Sequence, residues 1–148
     1  MSKSKTLATN QLLSRLLNTR HFDHFIGRYE ELMNVQTLPE YLKELCETSD
    51  VLPAHVIKNA GIERMYGHQL FNGKRKPTRE KALLLAFGFG LDYNETKVLL
   101  EKARKPALYP KIKRDAFIIF ALERHLSLNE VQDTLYDMGL PILGEGIE

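Results

Sequence analysis

Nowhere in the chain does a segment alternate apolar and polar side chains between turns, so the sequence carries almost no signal for a β-strand. Apolar residues recur instead at the three- and four-residue spacing of helices that bury one face. An all-α fold follows, and its helix boundaries can be read from capping residues. "TNQLLSRLLN" places Leu12, Leu13, Leu16 and Leu17 on one face, with Thr9 as the expected N-cap. "FDHFIGRYEELM" then spaces Phe22, Phe25, Ile26, Tyr29, Leu32 and Met33 at helical intervals. Together these make an N-terminal helical arm over residues 1–36.

From Thr37 the start signals sharpen. Thr37-Leu38-Pro39-Glu40 combines a capping box with a proline in the first turn, and Tyr41, Leu42, Leu45 and Cys46 form the stripe behind it. A second helix is predicted from Pro53 to Asn59, ended at Ala60-Gly61 by a glycine. A polar third helix runs from Glu63 to about Phe71 and closes at Asn72-Gly73. Thr78 caps a strongly apolar fourth with Ala82, Leu83, Leu85, Ala86 and Phe87. Asp92 and Glu95 open a fifth that carries Leu99, Leu100 and Ala103. Residues 37–103 therefore read as a five-helix domain, and 104–148 as a C-terminal helical hairpin.

Sliding the sequence by 35 residues aligns "REKALLLAFGFGLDYNETKVLLEKA" with "RDAFIIFALERHLSLNEVQDTLYDM". Six positions are identical, among them Arg79/Arg114, Asn94/Asn129 and Glu95/Glu130, and Asp92 exchanges with Ser127 at the cap. This is either an internal repeat or two hairpins obeying the same capping rules. In both cases the C-terminal hairpin is expected to pack on the preceding one.

The net charge of +2 hides a strong pattern. Residues 55–81 carry +5 and 102–114 carry +6, whereas 115–148 carry −6. A content of 43% apolar and 27% charged residues is that of an ordinary soluble domain. The single cysteine, Cys46, excludes an internal disulfide framework and suits a reducing compartment. No apolar run approaches the roughly 20 residues of a membrane span, and the N-terminus lacks the apolar region of a signal peptide. A cytoplasmic protein is expected. The ends "MSKSKT" and "LGEGIE" lack periodic apolar residues and are expected to lie outside the fold.

The segment "AGIERMYGHQLFNGKRKPTREK" concentrates the functional signal. The helix from Pro53, the turn at Ala60-Gly61-Ile62 and the short helix from Glu63 make a helix-turn-helix, with Gly61 supplying the positive φ of a sharp turn. Val56, Ile57, Ile62 and Leu70 can pack the two helices together, which turns Arg64, Met65, His68 and Gln69 outward. A buried helix would not present such a face. A basic run, Lys74 to Lys76 and then Arg79, follows at once.

These residues resemble the lambda-repressor-like, or XRE-type, helix-turn-helix DNA-binding proteins of bacteria and their phages. The match is carried by "AGI", the helix after it and "NGKRKPTR" leading into an apolar helix, and it covers about residues 37 to 103. "YGHQLFNG" and "ALYPKIKRDAFIIFAL" are similar to a group of Firmicute regulators with an added C-terminal helical hairpin. The resemblance implies a five-helix fold whose third helix enters the major groove. By matching position, Arg64, Met65, His68 and Gln69 would read base edges. Arg64 suits guanine, Gln69 adenine, and Met65 a thymine methyl. Lys74, Arg75, Lys76 and Arg79 would meet phosphates. Two positions depart from the pattern. Gly67 stands where the family has an aliphatic core residue, so Tyr66 or Phe71 is expected to fill the space. Glu63 stands where Ser or Thr caps the helix, and it brings a negative charge towards DNA.

The second basic block, "KARKPALYPKIKR", has no acidic residue between Lys102 and Arg114. With Pro106 and Pro110 it reads as a solvated connector in preference to a second phosphate-contacting or partner-docking strip. His21, Asp23 and His24 lack a matching second pair for a metal site, and Cys46 on its apolar stripe reads as a core thiol. No phosphate loop or catalytic triad is present, so neither an enzyme nor a cofactor is expected. The expected partner is double-stranded DNA, bound by a homodimer because one recognition helix contacts too few base pairs. The arm and the C-terminal hairpin are both candidate dimer surfaces. The competing expectation is a protein-interaction module, antitoxin-like or kinase-partnering, whose hairpins dock another protein.

Overall fold

The caps read from the sequence at Thr37, Thr78, Asp92 and Ser127 are formed in the computed structural model, which describes residues 8–144. Among those residues there are nine α-helices and no strand: α1 (Thr9–Leu17), α2 (Phe22–Tyr29), α3 (Leu38–Ser49), α4 (Pro53–Asn59), α5 (Arg64–Asn72), α6 (Arg79–Phe89), α7 (Tyr93–Lys102), α8 (Lys113–Glu123) and α9 (Leu128–Asp137). Thr37 Oγ1 accepts from Glu40 N at 3.3 Å while Glu40 Oε1 accepts from Thr37 N at 3.0 Å. Asp92 with Glu95, and Ser127 with Glu130, repeat the exchange at α7 and α9. Each box satisfies donors that the first turn leaves without helical partners. At α1 the cap is Ala8, so Thr9 is the first helical residue and not the N-cap.

The chain divides into two compact units, one ending at Gln36 and the other beginning at Thr37. In the first, α2 buries Phe25 while α1 buries no residue. Arg15 Nη1 donates to the Tyr29 hydroxyl at 2.8 Å, and the Phe25 and Tyr29 rings lie 5.0 Å apart. Leu13 and Leu17 remain 52% and 75% exposed, so the apolar stripe of α1 faces solvent.

In the second unit α6 is central, with Ala82, Leu83, Leu85 and Ala86 wholly buried. α4 and α7 pack on it, α9 also touches it, and α3 lies against α5 and α7. Each fully buried leucine contributes about 1.5–3 kcal/mol relative to exposure. The Tyr41 hydroxyl ties α3 to α7 by donating to the Glu95 carbonyl at 3.2 Å. Burial, with Glu95, Glu44 and Asp92 nearby, pushes that phenol up to about 12.

The 35-residue offset is a structural repeat. Arg79 Nη2 donates to Asp115 Oδ2 at 2.9 Å, and Arg114 Nη2 donates to Glu80 Oε1 at 2.6 Å. Arg79 also reaches the Pro106 and Ala107 carbonyls at 3.0 and 3.2 Å. Arg114 reaches the carbonyls of Pro141 and Ile142, their counterparts, at 2.8 and 3.2 Å. Tyr109 N donates to Asp115 Oδ2, and its counterpart Gly144 N donates to Glu80 Oε1, at 3.0 and 3.1 Å. Leu108 and Leu143 are both buried. The repeat thus extends past the helices to Pro106-Ala107-Leu108 and Pro141-Ile142-Leu143.

Each half gives its arginine to the other half's carboxylate. Such reciprocity is the mark of a local two-fold relation. Repeats stacked in one direction would leave the second arginine without its partner. Burial by itself would raise the Glu80 carboxyl, but the Arg114 guanidinium and the Gly144 N–H outweigh it and hold the group below the usual carboxylate range. The same contact raises Arg114 further above its ordinary value.

One expectation about the ends is corrected here. Leu143 and Gly144 belong to the fold, because the Gln132 amide brackets the Leu143 backbone with bonds of 2.9 and 2.7 Å. Residues 1–7 and 145–148, the rest of those ends, lie outside the described residues.

Candidate nucleic-acid interface

α4 stops because the chain turns left-handed directly after Ala60: Gly61 has φ +68°, a conformation costly for residues with a Cβ. Ile62 N donates back to Ile57 O at 3.2 Å and its side chain drops into the core. α5 then begins at Arg64. Val56, Ile57, Ile62 and Leu70 are all buried, so the two short helices share one apolar seam.

The space opposite Gly67 is filled from α4, not by Tyr66 or Phe71. A Cβ at Gly67 would lie 2.5 Å from Ile57 Cγ2 and 2.7 Å from Ile57 Cγ1. Glycine is required because Ile57 occupies the volume an aliphatic side chain at 67 would take. Phe71 instead meets Phe89, ring centres 6.0 Å apart, and Tyr66 lies beneath Arg75 and Lys81.

Glu63 is the N-cap of α5. Its carboxylate accepts from the backbone N–H groups of Met65 and Tyr66. The negative charge that the sequence places near this end is therefore seated on the positive pole of the helix.

Of the outward residues, Arg64 is exposed, Met65 is 68% exposed, and His68 and Gln69 are half-buried. The spacing 64, 65, 68, 69 keeps them on one face. Beyond Gly73 the loop presents Lys74, Arg75 and Lys76, all exposed. Arg75 joins the two groups. Its Nε donates to Gln69 Oε1 at 2.7 Å, its backbone N donates to the Gln69 carbonyl at 3.1 Å, and its guanidinium lies 5.5 Å from the Tyr66 ring centre. Nothing in the sequence signalled this contact, because it depends on the chain doubling back through Gly73 at φ +84°.

Arg79 is placed differently from the other three cations. Its donors are taken by Asp115 and two carbonyls, and its side chain is only 19% exposed. It acts as a strut between the hairpins. The same bonds bring the second basic block, at Pro106 and Ala107, against the first residue of α6, directly after the loop that carries Lys74–Lys76.

Elsewhere the chemistry is sparse. Burial, with Glu47 nearby, pushes the Cys46 thiol up, the opposite of an activated nucleophile. The His21 and His24 rings stand 5.2 Å apart, but among the described residues no three His, Cys, Asp or Glu side chains are grouped closely enough to hold a metal ion. No described helix is long and apolar enough to cross a membrane. Compared with known proteins, the chain matches no family model, and no curated protein or solved structure matches at a significant level.

Proposed function

We propose that this chain is a sequence-specific DNA-binding regulator of transcription, a helix-turn-helix protein of the lambda-repressor-like type, acting in the cytoplasm on the chromosome. In this reading α3 to α7 form the five-helix domain and α5 is the recognition helix. A helix with its side chains fits the major groove of B-DNA, about 12 Å wide. Arg64, Met65, His68 and Gln69 then face base edges. Lys74, Arg75 and Lys76 meet phosphates and set register without reading sequence. Arg79, whose charge is held by Asp115, stays within the fold.

The observation that carries the reading is the continuity of the two groups. An outward polar helix face runs into a cationic loop, and Arg75 spans both through Gln69. A merely solvated surface gives no reason for such a link. Since one recognition helix covers too few base pairs, the active species is a homodimer on half-sites about 34 Å apart. The exposed leucines of α1 supply the surface that joins the copies.

The test is equilibrium binding of the full chain to mixed-sequence duplex at two salt concentrations, repeated with Lys74, Arg75 and Lys76 all changed to Ala. Binding that weakens with salt and with the triple change supports the reading. A folded protein that binds no duplex at low salt overturns it in favour of a protein-docking module.

A further inference from the structure

The local two-fold that exchanges Arg79–Asp115 for Arg114–Glu80 does more than close the fold. It sets the first turns of α6 and α8 together, and with them the loops that precede each helix. The loop before α6 carries Lys74–Lys76, and the 35-residue offset maps Lys76 onto Lys111 in the loop before α8. The carboxylates of these first turns, Glu80 and Asp115, are buried and each is paired with an arginine. Lys111 and Lys113 are exposed, as are Tyr109 and Ile112 beside them.

We propose that the end of the connector and the start of α8, through Lys111 and Lys113, form a second phosphate-binding strip that grips the DNA backbone beside the strip at Lys74–Lys76. The inference rests on the DNA-binding reading of α5 and extends it beyond the five-helix domain. A solvated linker needs no fixed geometry. This one is held at Pro106, Ala107 and Tyr109 by bonds of 3.0, 3.2 and 3.0 Å, with its lysines at the base of α8. Duplex phosphates are the partner whose charge and regular spacing suit two strips of exposed cationic side chains.

The experiment measures the affinity of the full chain for mixed-sequence duplex from 50 to 200 mM salt. It compares wild type, the Lys111→Ala/Lys113→Ala double variant and a charge-matched control, Lys43→Ala/Lys97→Ala, whose lysines are exposed on α3 and α7. Each phosphate contact adds about 0.9 to the slope of log affinity against log salt. The connector variant should therefore lose about 2 from that slope. Across this salt range its affinity should fall about tenfold less than that of wild type. The control should keep the wild-type slope, and all three proteins should have the same helical circular dichroism. A connector variant with the wild-type slope, alongside a Lys74→Ala/Lys76→Ala variant with a reduced one, overturns the second strip and leaves the reading of α5 standing. Equal slope losses in the connector variant and the control also overturn it. Absence of duplex binding by wild type removes both.

Discussion

Arg114 grips Glu80 through two hydrogen bonds of 2.9 and 2.6 Å, and their counterparts Arg79 and Asp115 form the same kind of pair across the local two-fold. Both carboxylates are nearly inaccessible. Removing either arginine takes the guanidinium from a buried carboxylate, and breaking such a pair typically costs about 3–5 kcal/mol. Arg114→Ala is expected to lower the unfolding midpoint far more than Lys113→Ala next to it. Denaturant titration of the two variants checks this, and equal midpoints would contradict it.

The same pair gives the fold an acid limit. Because the Glu80 carboxyl is held below its ordinary value, its stabilisation is fully present above the unfolded pKa of about 4.3 and is lost as pH falls through the lower folded value. Stability should decline below about pH 4, and Glu80→Gln should flatten that decline while lowering stability at pH 7. Thermal unfolding of both proteins from pH 3 to 7 measures it.

Gly67 provides a test of how α4 meets α5. Alanine there gains about 1 kcal/mol of helix propensity, but its methyl falls 2.5 Å from Ile57 Cγ2, and overpacking of this kind costs about 1–3 kcal/mol. Gly67→Ala is expected to destabilise the wild-type protein. In an Ile57→Ala background it should cost less, or stabilise. Equal cost in both backgrounds would show that Ile57 does not fill the space.

The fold was more legible than the site. Helix starts depend on side chains three residues apart, so Thr37/Glu40, Asp92/Glu95 and Ser127/Glu130 could be read without coordinates. The apolar seam of Val56, Ile57, Ile62 and Leu70 followed from helical period alone. What escaped the sequence depends on contacts distant along the chain. Arg79 reads as one more cation of a basic loop until Asp115, 36 residues later, is seen beneath it. Leu143 reads as part of a frayed end because its anchor, Gln132, lies on another element. The space beside Gly67 reads as filled by Tyr66 or Phe71 of α5, whereas Ile57 of α4 fills it. The second basic block reads as linker in the sequence, and its hold on α6 comes from an arginine 27 residues away.

Arg75 is expected to behave unlike its neighbours in DNA binding. Since its Nε fixes the Gln69 amide, Arg75→Ala should weaken binding overall and also relax discrimination at the base assigned to Gln69 in the proposed function, by about 1–3 kcal/mol. Lys74→Ala should weaken binding uniformly across sequences. Competition between a preferred duplex and single-base variants separates the two patterns; an identical, uniform loss in both would mean that Arg75 acts only as a charge.

The exposed stripe of α1 makes oligomeric state a separate check. Leu17→Asp, at a position 75% exposed, should shift the chain towards monomer in sedimentation equilibrium with little change in the unfolding midpoint of the second unit. If dimerisation is unaffected, the arm does not join the copies.

The central claim is that the outward side chains of α5 read base edges, and selection of bound duplexes from a random library addresses it most directly. Wild-type protein should enrich one motif arranged as two half-sites. Arg64→Ala should lose preference at a guanine and Gln69→Ala at an adenine, each by about 1–3 kcal/mol, with the remaining positions retained. A library that stays random after selection, or a motif unchanged by both substitutions, would contradict the account.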